Sequence, residues 1–483
     1  MRSIKYWSLC VLCGIALIFS LYKLGDQSLW IDEGYSINAA EGIQEHGLPV
    51  LGSGKTYVKG IASTYLMALS MSMFGFEATN PWSARLPSAM FWLMTIVAMY
   101  FVSKRFFGSN TIAFLSSAML TFLSWEIAWA RQARGYIGMQ FFSLVSFFFL
   151  YMWFKERKHK SLYLCFIFLG VSILFHPSSA VLILPMTGSV IFDVLKRREE
   201  RVGPAVLAVA VLLITAIFFY EFLSIQFVIR YSPSYFIAIK ENILGLSILA
   251  LAAPFLLAVD TINKKKIFLL ALLVLIPICF LSFYHYSTQQ RYLFVLLPYI
   301  VLLSAFAAVR ISKIVFRGRA GLVILGAIIL VSVISFDSFT FYPHAFYYVE
   351  KRSPQPNFKE AYLLIKERRT GEDIVVSSYT HLSQIYLRDK GYWWPIALTT
   401  NKDEIIRNSI DEVDYYTGAP KINGIDELKL LLDKNSGYIV FDGLSWIRSG
   451  KKVAELIRSL KLELVYHTGI KLDEIWVYRF VKK

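Results

Sequence analysis

For its first 340 residues the chain alternates long apolar runs with short polar hinges. The runs fall at roughly 7–23, 84–102, 111–129, 136–154, 162–176, 179–195, 203–223, 243–262, 267–286, 291–309 and 320–341. Most approach the ~20 residues that a helix needs to cross a hydrocarbon core about 30 Å thick. The pattern therefore predicts about eleven membrane-spanning helices. The first outer loop, residues 24–83, is long for a connector, and long ordered loops are often functional. Within it, "IASTYLMALSMSMFGF" at 61–76 is apolar but dotted with Ser and Thr. Reading it as a further span would invert every later loop, so a helix lying in the membrane interface is predicted instead.

From about residue 345 the apolar runs shorten and charges become dense. "NFKEAYLLIKERRTGEDIVVSS" reads as a capped helix, with Asn357 three residues before Glu360 and Gly371 past the last turn, followed by a β-branched strand at 374–378. Ile425–Leu432 before "YIVF" and Val453–Leu460 before "LELVYH" repeat the helix-then-strand order, and "EIWVYRF" reads as a closing strand. Such alternation predicts a small α/β domain. The expected fold is thus a polytopic α-helical membrane protein, residues 1–344, with a C-terminal extracytoplasmic α/β domain, residues 345–483.

Composition supports this reading. Of 483 residues, 56% are hydrophobic and only 17% charged, against roughly 25% charged in soluble domains. The net charge of +16 sits in short clusters between apolar runs: Lys104-Arg105, 155–160, 196–201, 264–266 and 310–319. One topology puts them all on the cytoplasmic side, as the positive-inside rule requires, so the charge reads as orientation in a plasma (inner) membrane and not as nucleic-acid binding. The same topology holds Arg2 and Lys5 in the cytoplasm, on a retained first helix with no small-residue cleavage site. The odd number of spans places the C-terminus outside. Cys10, Cys13, Cys165 and Cys279 all lie in apolar runs and imply no disulfide framework.

Polar residues that interrupt this pattern fall on the outer face. "DQSLWIDEGYS" at 26–36 follows the first span, and its adjacent acids could be hydrated loop, a cation site or a reaction centre. "SWEIAWARQARGY" at 124–136 closes the third span, His176-Pro177 the fifth, Glu221 and Arg230 follow the seventh, and "YHYSTQQRY" at 284–292 precedes the tenth. Ionisable residues at a membrane boundary are functional candidates. A carboxylate can take the proton of an attacking hydroxyl or amine. Arginines can offset the charge of a departing phosphate. Together they suit group transfer from a lipid-borne anionic donor. The structural alternatives are headgroup anchoring for the arginines, a helix-end role for His176 and surface charge for Lys55 and Lys59.

In order, "LWIDEGYS", "ARLPSA" at 84–89, "WARQARGY" and "QQRYLFVLLP" at 289–298 resemble the membrane glycosyltransferases of the GT-C fold. Within them the chain is similar to the protein O-mannosyltransferases and the lipid A aminoarabinose transferases. The resemblance covers roughly residues 1–340. It implies a polyprenyl-phosphate sugar donor, a membrane-lipid setting and transfer, with inversion, on the extracytoplasmic face to a protein, glycolipid or surface polymer. Carried over, Asp32 is the catalytic base with Glu33 beside it, and Arg131, Arg134, Arg291 and Lys59 attend the donor phosphate. Trp30, Tyr35, Glu126, Tyr136 and His176 are the substrate-binding candidates. Two departures stand out. Relatives carry Lys-Pro-Pro where Lys59 is followed by Gly60 and Ile61, and an acid where Gln132 stands between the arginines. Glu126, nearby, is the candidate replacement, and involvement of a divalent cation stays open. Competing readings are a transporter or flippase for lipid-linked sugar, a polymerase or ligase using an oligosaccharide-lipid donor, and a scaffold whose outer domain binds a partner.

Overall fold

A computed structural model describes residues 2–197, 203–224, 234–256, 264–283, 290–315, 356–395, 409–410, 412–443, 445, 455, 457–460, 462–468 and 474–482. The span expected at 320–341, Arg230 and most of "YHYSTQQRY" lie outside these residues. The chain divides into two compact units. One comprises Met1–Tyr22, Ser88–Arg131 and Gly135–Thr340, the other Lys23–Pro87, Gln132–Arg134 and Phe341–Lys483. The segment Lys23–Pro87 therefore folds with the C-terminal α/β segment, a grouping that hydropathy alone does not show.

The first eight helices are α1 (Arg2–Leu21), α2 (Ile31–His46), α3 (Ile61–Phe74), α4 (Trp82–Phe107), α5 (Asn110–Phe122), α6 (Ser124–Ala130), α7 (Tyr136–Glu156) and α8 (His159–Phe175). Among the described residues, five helical segments are long and apolar enough to cross a membrane: α4, α7, Pro177–Lys196, Lys264–Phe283 and Arg291–Ile314. The pair α5 and α6 makes a sixth if its 63° bend is counted within one span. The expected third span is thus broken. Leu123 leaves the helical region for an extended backbone (φ −74°, ψ 115°) between the two pieces.

Without water to drive helix association, close packing and hydrogen bonds hold such helices together. Helices α7 and α8 illustrate both. Gly138 lets the ring of Phe175 approach so closely that a Cβ there would lie 2.2 Å from it. Ser172 donates to the Met139 carbonyl at 2.7 Å and Ser146 to that of Cys165 at 2.8 Å. Between α4 and α5, Ser117 donates to the Ile96 carbonyl at 3.0 Å.

Among the described residues the second unit has seven strands: β1 (Ile374–Ser377), β2 (Tyr392–Trp393), β3 (Ser409–Ile410), β4 (Val413–Asp414), β5 (Gly437–Asp442), β6 (Glu463–Thr468) and β7 (Ile475–Phe480). Five form a sheet in the order β2-β1-β5-β7-β6, with β3 and β4 as a separate antiparallel pair. β1 runs parallel to β2 and β5, whereas β7 is antiparallel to β5 and β6. Successive strand residues face opposite sides, and both sides are covered. Tyr438 and Val440 join one core cluster while Ile439 and Phe441 join another. This explains why β5 reads as a continuous apolar run. The first cluster also contains Leu29, Ile37 and Ala40 from the start of the outer loop and α2, and Met67, Ala68 and Met71 from α3. Helix α3 leaves Tyr65, Leu69 and Met73 exposed on its other side.

Replacing Gly138 by Val should therefore separate α7 from α8 and destabilise the protein by about 1–3 kcal/mol, the usual cost of overpacking. A lowered thermal midpoint in detergent is the expected result.

Candidate active site

The acid pair opens α2, and its two members have different surroundings. Trp30, in extended backbone, precedes the helix and donates its amide to Glu33 Oε2 at 2.9 Å. Glu33 is 0% exposed. Its Oε1 accepts from Arg85 Nε at 2.8 Å and from the Ala133 amide at 2.7 Å, and its Oε2 also accepts from Arg85 Nη2 at 2.9 Å. The remaining Arg85 donors go to main-chain carbonyls: Nη1 to Leu24 at 2.9 Å and Gln27 at 3.2 Å, Nη2 to Ser28 at 3.0 Å. All five guanidinium N–H groups thus meet an acceptor, the condition under which a buried ion pair is tolerated.

Asp32, one residue earlier on the helix, keeps 21% of its side chain exposed. Its Oδ2 lies 3.7 Å from Arg134 Nη2. Arg134 Nη1 donates to the Asp32 carbonyl at 2.9 Å, to Ser36 Oγ at 2.7 Å and to the Tyr57 hydroxyl at 3.2 Å. Because the Ala133 amide is tied to Glu33, the segment Gln132–Arg134 is held where Arg134 meets Asp32.

Tyr35 stands one turn on from Asp32, its ring between two others: His381 at 3.9 Å and Tyr416 at 3.8 Å between centroids. His381 opens the helix Thr380–Leu387, and its Nε2 lies 3.0 Å from the Ile31 carbonyl. An imidazole nitrogen facing a carbonyl must carry the proton, so Nε2–H donates. Burial depresses the His381 pKa to about 3, which keeps the ring neutral. Tyr416 belongs to the turn after β4, where buried Asp414 accepts from Thr380 Oγ1 and Thr417 Oγ1, each at 2.7 Å. Burial, with the nearby Tyr57, Asp32 and Asp414, raises the Tyr416 phenol well above its ordinary value. Burial likewise raises that of Tyr35. Both remain protonated. Trp30 is buried, and Lys59 is exposed immediately before Gly60, whose positive φ of 68° starts α3.

The other candidates belong to the first unit. Arg131 is buried, and its Nη1 donates to the carbonyls of Phe19, Ser20 and Tyr22 at 2.9, 3.3 and 2.8 Å, at the C-terminal end of α1. Glu126 is buried in α6 and accepts from Gln140 Nε2 at 2.6 Å. Its Oε2 has no hydrogen-bond partner among the described residues. Tyr136 packs 4.4 Å from both Trp129 and His176. His176 Nδ1 accepts the Ser178 amide at 3.2 Å and so starts the 3₁₀ turn Pro177–Leu182. Arg291 lies in the turn Gln290–Leu296, next to Tyr292, whose ring is 5.8 Å from that of His176. Among the described residues, no group of three or more His, Cys, Asp or Glu side chains could hold a metal ion.

Sequence reasoning overlooked Arg85, Ser36, Tyr57, His381 and Tyr416. Arg85 had a signal, a lone cation at the head of an apolar run. His381 and Tyr416 had none, being more than 340 residues from the acid in sequence.

The fold is that of the GT-C membrane glycosyltransferases, and several described helices are long and apolar enough to cross a membrane. Residues 58–220 match the family described as dolichyl-phosphate-mannose-protein mannosyltransferase. The structure is similar to that of ArnT from Cupriavidus metallidurans bound to undecaprenyl phosphate. The TM-score is 0.60 with 15% identity, over 97% of each chain. It is also similar to the oligosaccharyltransferase AglB from Archaeoglobus fulgidus in complex with an inhibitory peptide and a dolichol-phosphate. There the TM-score is 0.56 with 11% identity, over 98% of this chain and 74% of that one. In sequence, 188 residues are 27% identical to an uncharacterized protein of Aquifex aeolicus (strain VF5), a match covering 38% of this chain and 37% of that relative.

Two outcomes are expected from this geometry. Arg85→Ala leaves Glu33 charged and buried without its partner and should destabilise the protein by about 3–5 kcal/mol, read from thermal unfolding. Between the ordinary histidine value near 6.5 and about 3, the unfolded chain takes up a proton that folded His381 refuses, so stability falls as pH falls. At pH 5 the loss relative to pH 7 is about 2 kcal/mol, and His381→Gln should remove that part of the pH dependence.

Proposed function

We propose that the protein transfers a monosaccharide from a polyprenyl-phosphate-linked donor to a hydroxyl or amine acceptor on the extracytoplasmic face of the plasma (inner) membrane, with inversion at the anomeric carbon. The observation that carries this reading is the asymmetry of the acid pair. Glu33 is saturated by four donors and fully buried, whereas Asp32 is only partly buried, its Oδ2 3.7 Å from Arg134 Nη2.

Asp32 is the general base. As the acceptor oxygen or nitrogen attacks the anomeric carbon, its proton passes to Asp32 and the carbon–oxygen bond to the phosphate breaks. The electron pair leaves with the polyprenyl phosphate. Glu33 is a positioning residue, since every oxygen lone pair it turns toward the protein is engaged. Arg134 orients Asp32 through both its carbonyl and its carboxylate. A cation would offset the developing negative charge of the donor phosphate, and by the resemblance Arg291 in the first unit and Lys59 in the second are the candidates. The Nη1 contacts of Arg131 with the end of α1 favour an anchoring role for it. Tyr136 and His176, whose rings pack 4.4 Å apart, are the aromatic candidates for contact with a sugar ring, and Gln140, one turn on from Tyr136, donates to Glu126. Trp30 and Tyr35 brace the acid. The acceptor class stays as broad as the chemistry: a protein hydroxyl, a glycolipid or a surface polymer. ArnT and AglB were each captured with a polyprenyl-type phosphate, which supports this donor class.

In membranes supplied with a panel of labelled polyprenyl-phosphate sugars, the wild type should release free polyprenyl phosphate from one of them. Asp32→Asn should release at least 100-fold less while remaining folded, within the 10²–10⁴-fold range general-base catalysis supplies. Undiminished release from that variant would remove Asp32 from the chemistry. No release from any donor by wild type would favour an oligosaccharide-lipid donor or transport.

A further inference from the structure

The two peptide planes that flank Asp32 are each held by a side chain remote in sequence. The plane after it carries the Asp32 carbonyl, which accepts from Arg134 Nη1 at 2.9 Å. The plane before it carries the Ile31 carbonyl, which accepts from His381 Nε2 at 3.0 Å. Since φ and ψ of a residue are the angles between its two planes, these contacts together set the direction in which the Asp32 side chain leaves the helix. Tyr35, on the next turn of α2, rests its ring on the same imidazole.

His381 reaches this position only because residue 34 is glycine. A Cβ there would lie 2.5 Å from Cδ2 of His381 and 2.9 Å from Cδ2 of Leu382. The imidazole is buried and makes this bond in its neutral form, so it serves as a fixed donor and not as a proton carrier.

We propose that His381 is a positioning residue for Asp32, and that the C-terminal sheet segment thereby takes part in aiming the base. The proposal rests on Asp32 being the base. It makes the segment around Thr380–Leu387 part of the catalytic apparatus and not a separate recognition module. A misplacement of about 1 Å at a reacting group can cost on the order of 10²-fold in rate. Loss of the donor should therefore lower kcat and leave binding of the donor lipid intact.

The test uses the full-length protein in lipid nanodiscs, with the labelled polyprenyl-phosphate sugar that the wild type cleaves and release of polyprenyl phosphate as the readout. His381→Leu should lower kcat about 10- to 100-fold with the KM for donor changed less than twofold. His381→Gln, whose amide nitrogen sits at the reach of Nε2, should recover kcat to within about fivefold of wild type. Gly34→Ala, which displaces the ring without removing its donor, should lower kcat as His381→Leu does. Equal losses in His381→Leu and His381→Gln would make the ring mere packing and overturn the proposal. So would an unchanged kcat in Gly34→Ala, which also decides the matter if His381→Leu fails to fold. Asp32→Asn is run in parallel. Release retained there defeats the base assignment itself, whatever the His381 variants do.

Discussion

The ion pair between Glu33 and Arg85 is fully buried, and the architecture around the acids follows from that. A buried carboxylate and guanidinium are costly to desolvate and become tolerable only when every remaining donor and acceptor finds a partner. Here those partners are main-chain groups drawn from three places: the Leu24–Ser28 segment, the start of α2 and Ala133. Satisfying one ion pair therefore gives three separate stretches of chain a common geometry. Removal of Arg85 frees the Leu24, Gln27 and Ser28 carbonyls, and removal of Glu33 frees the Trp30 and Ala133 amides.

The arrangement leaves Asp32 little freedom. Its helix is started by the Glu33 bond to Trp30, its preceding carbonyl is occupied by His381 and its own carbonyl by Arg134. Chemistry that depends on placing a base beside an acceptor gains from such rigidity, because order established during folding need not be supplied during reaction. Adjacent acids on a helix point about 100° apart. One can thus be buried in an ion pair while the other stays partly exposed, so a single short sequence provides both environments.

The sequence showed the helices well and their connections poorly. Apolar runs report directly on membrane spans, and β-branched runs on strands such as β1 and β5, because both signals are local. The break at Leu123 was hidden, since neither Pro nor Gly marks it and the apolar run continues on either side. Asp32 and Glu33 were conspicuous as a pair, but which of them faces inward depends on Arg85, fifty-two residues away. His381 looked like an ordinary residue early in a short helix. Its meaning lies in a contact with Ile31 across 350 residues, and no periodicity carries such information.

The core around α2 has a consequence for biosynthesis. Leu29, Ile37, Met67 and Met71 emerge early, yet they pack with Phe358, Val375 and Val477 near the end of the chain. The Leu29 amide waits for the hydroxyl of Tyr386, 357 residues later. Contacts of such sequence separation form slowly and leave apolar surface exposed in the meantime. The nascent protein must therefore hold the apolar side of α2 and α3 uncovered while its later helices are inserted. Asp32 acquires neighbours such as His381 and Tyr416 only after those distant residues have been translated.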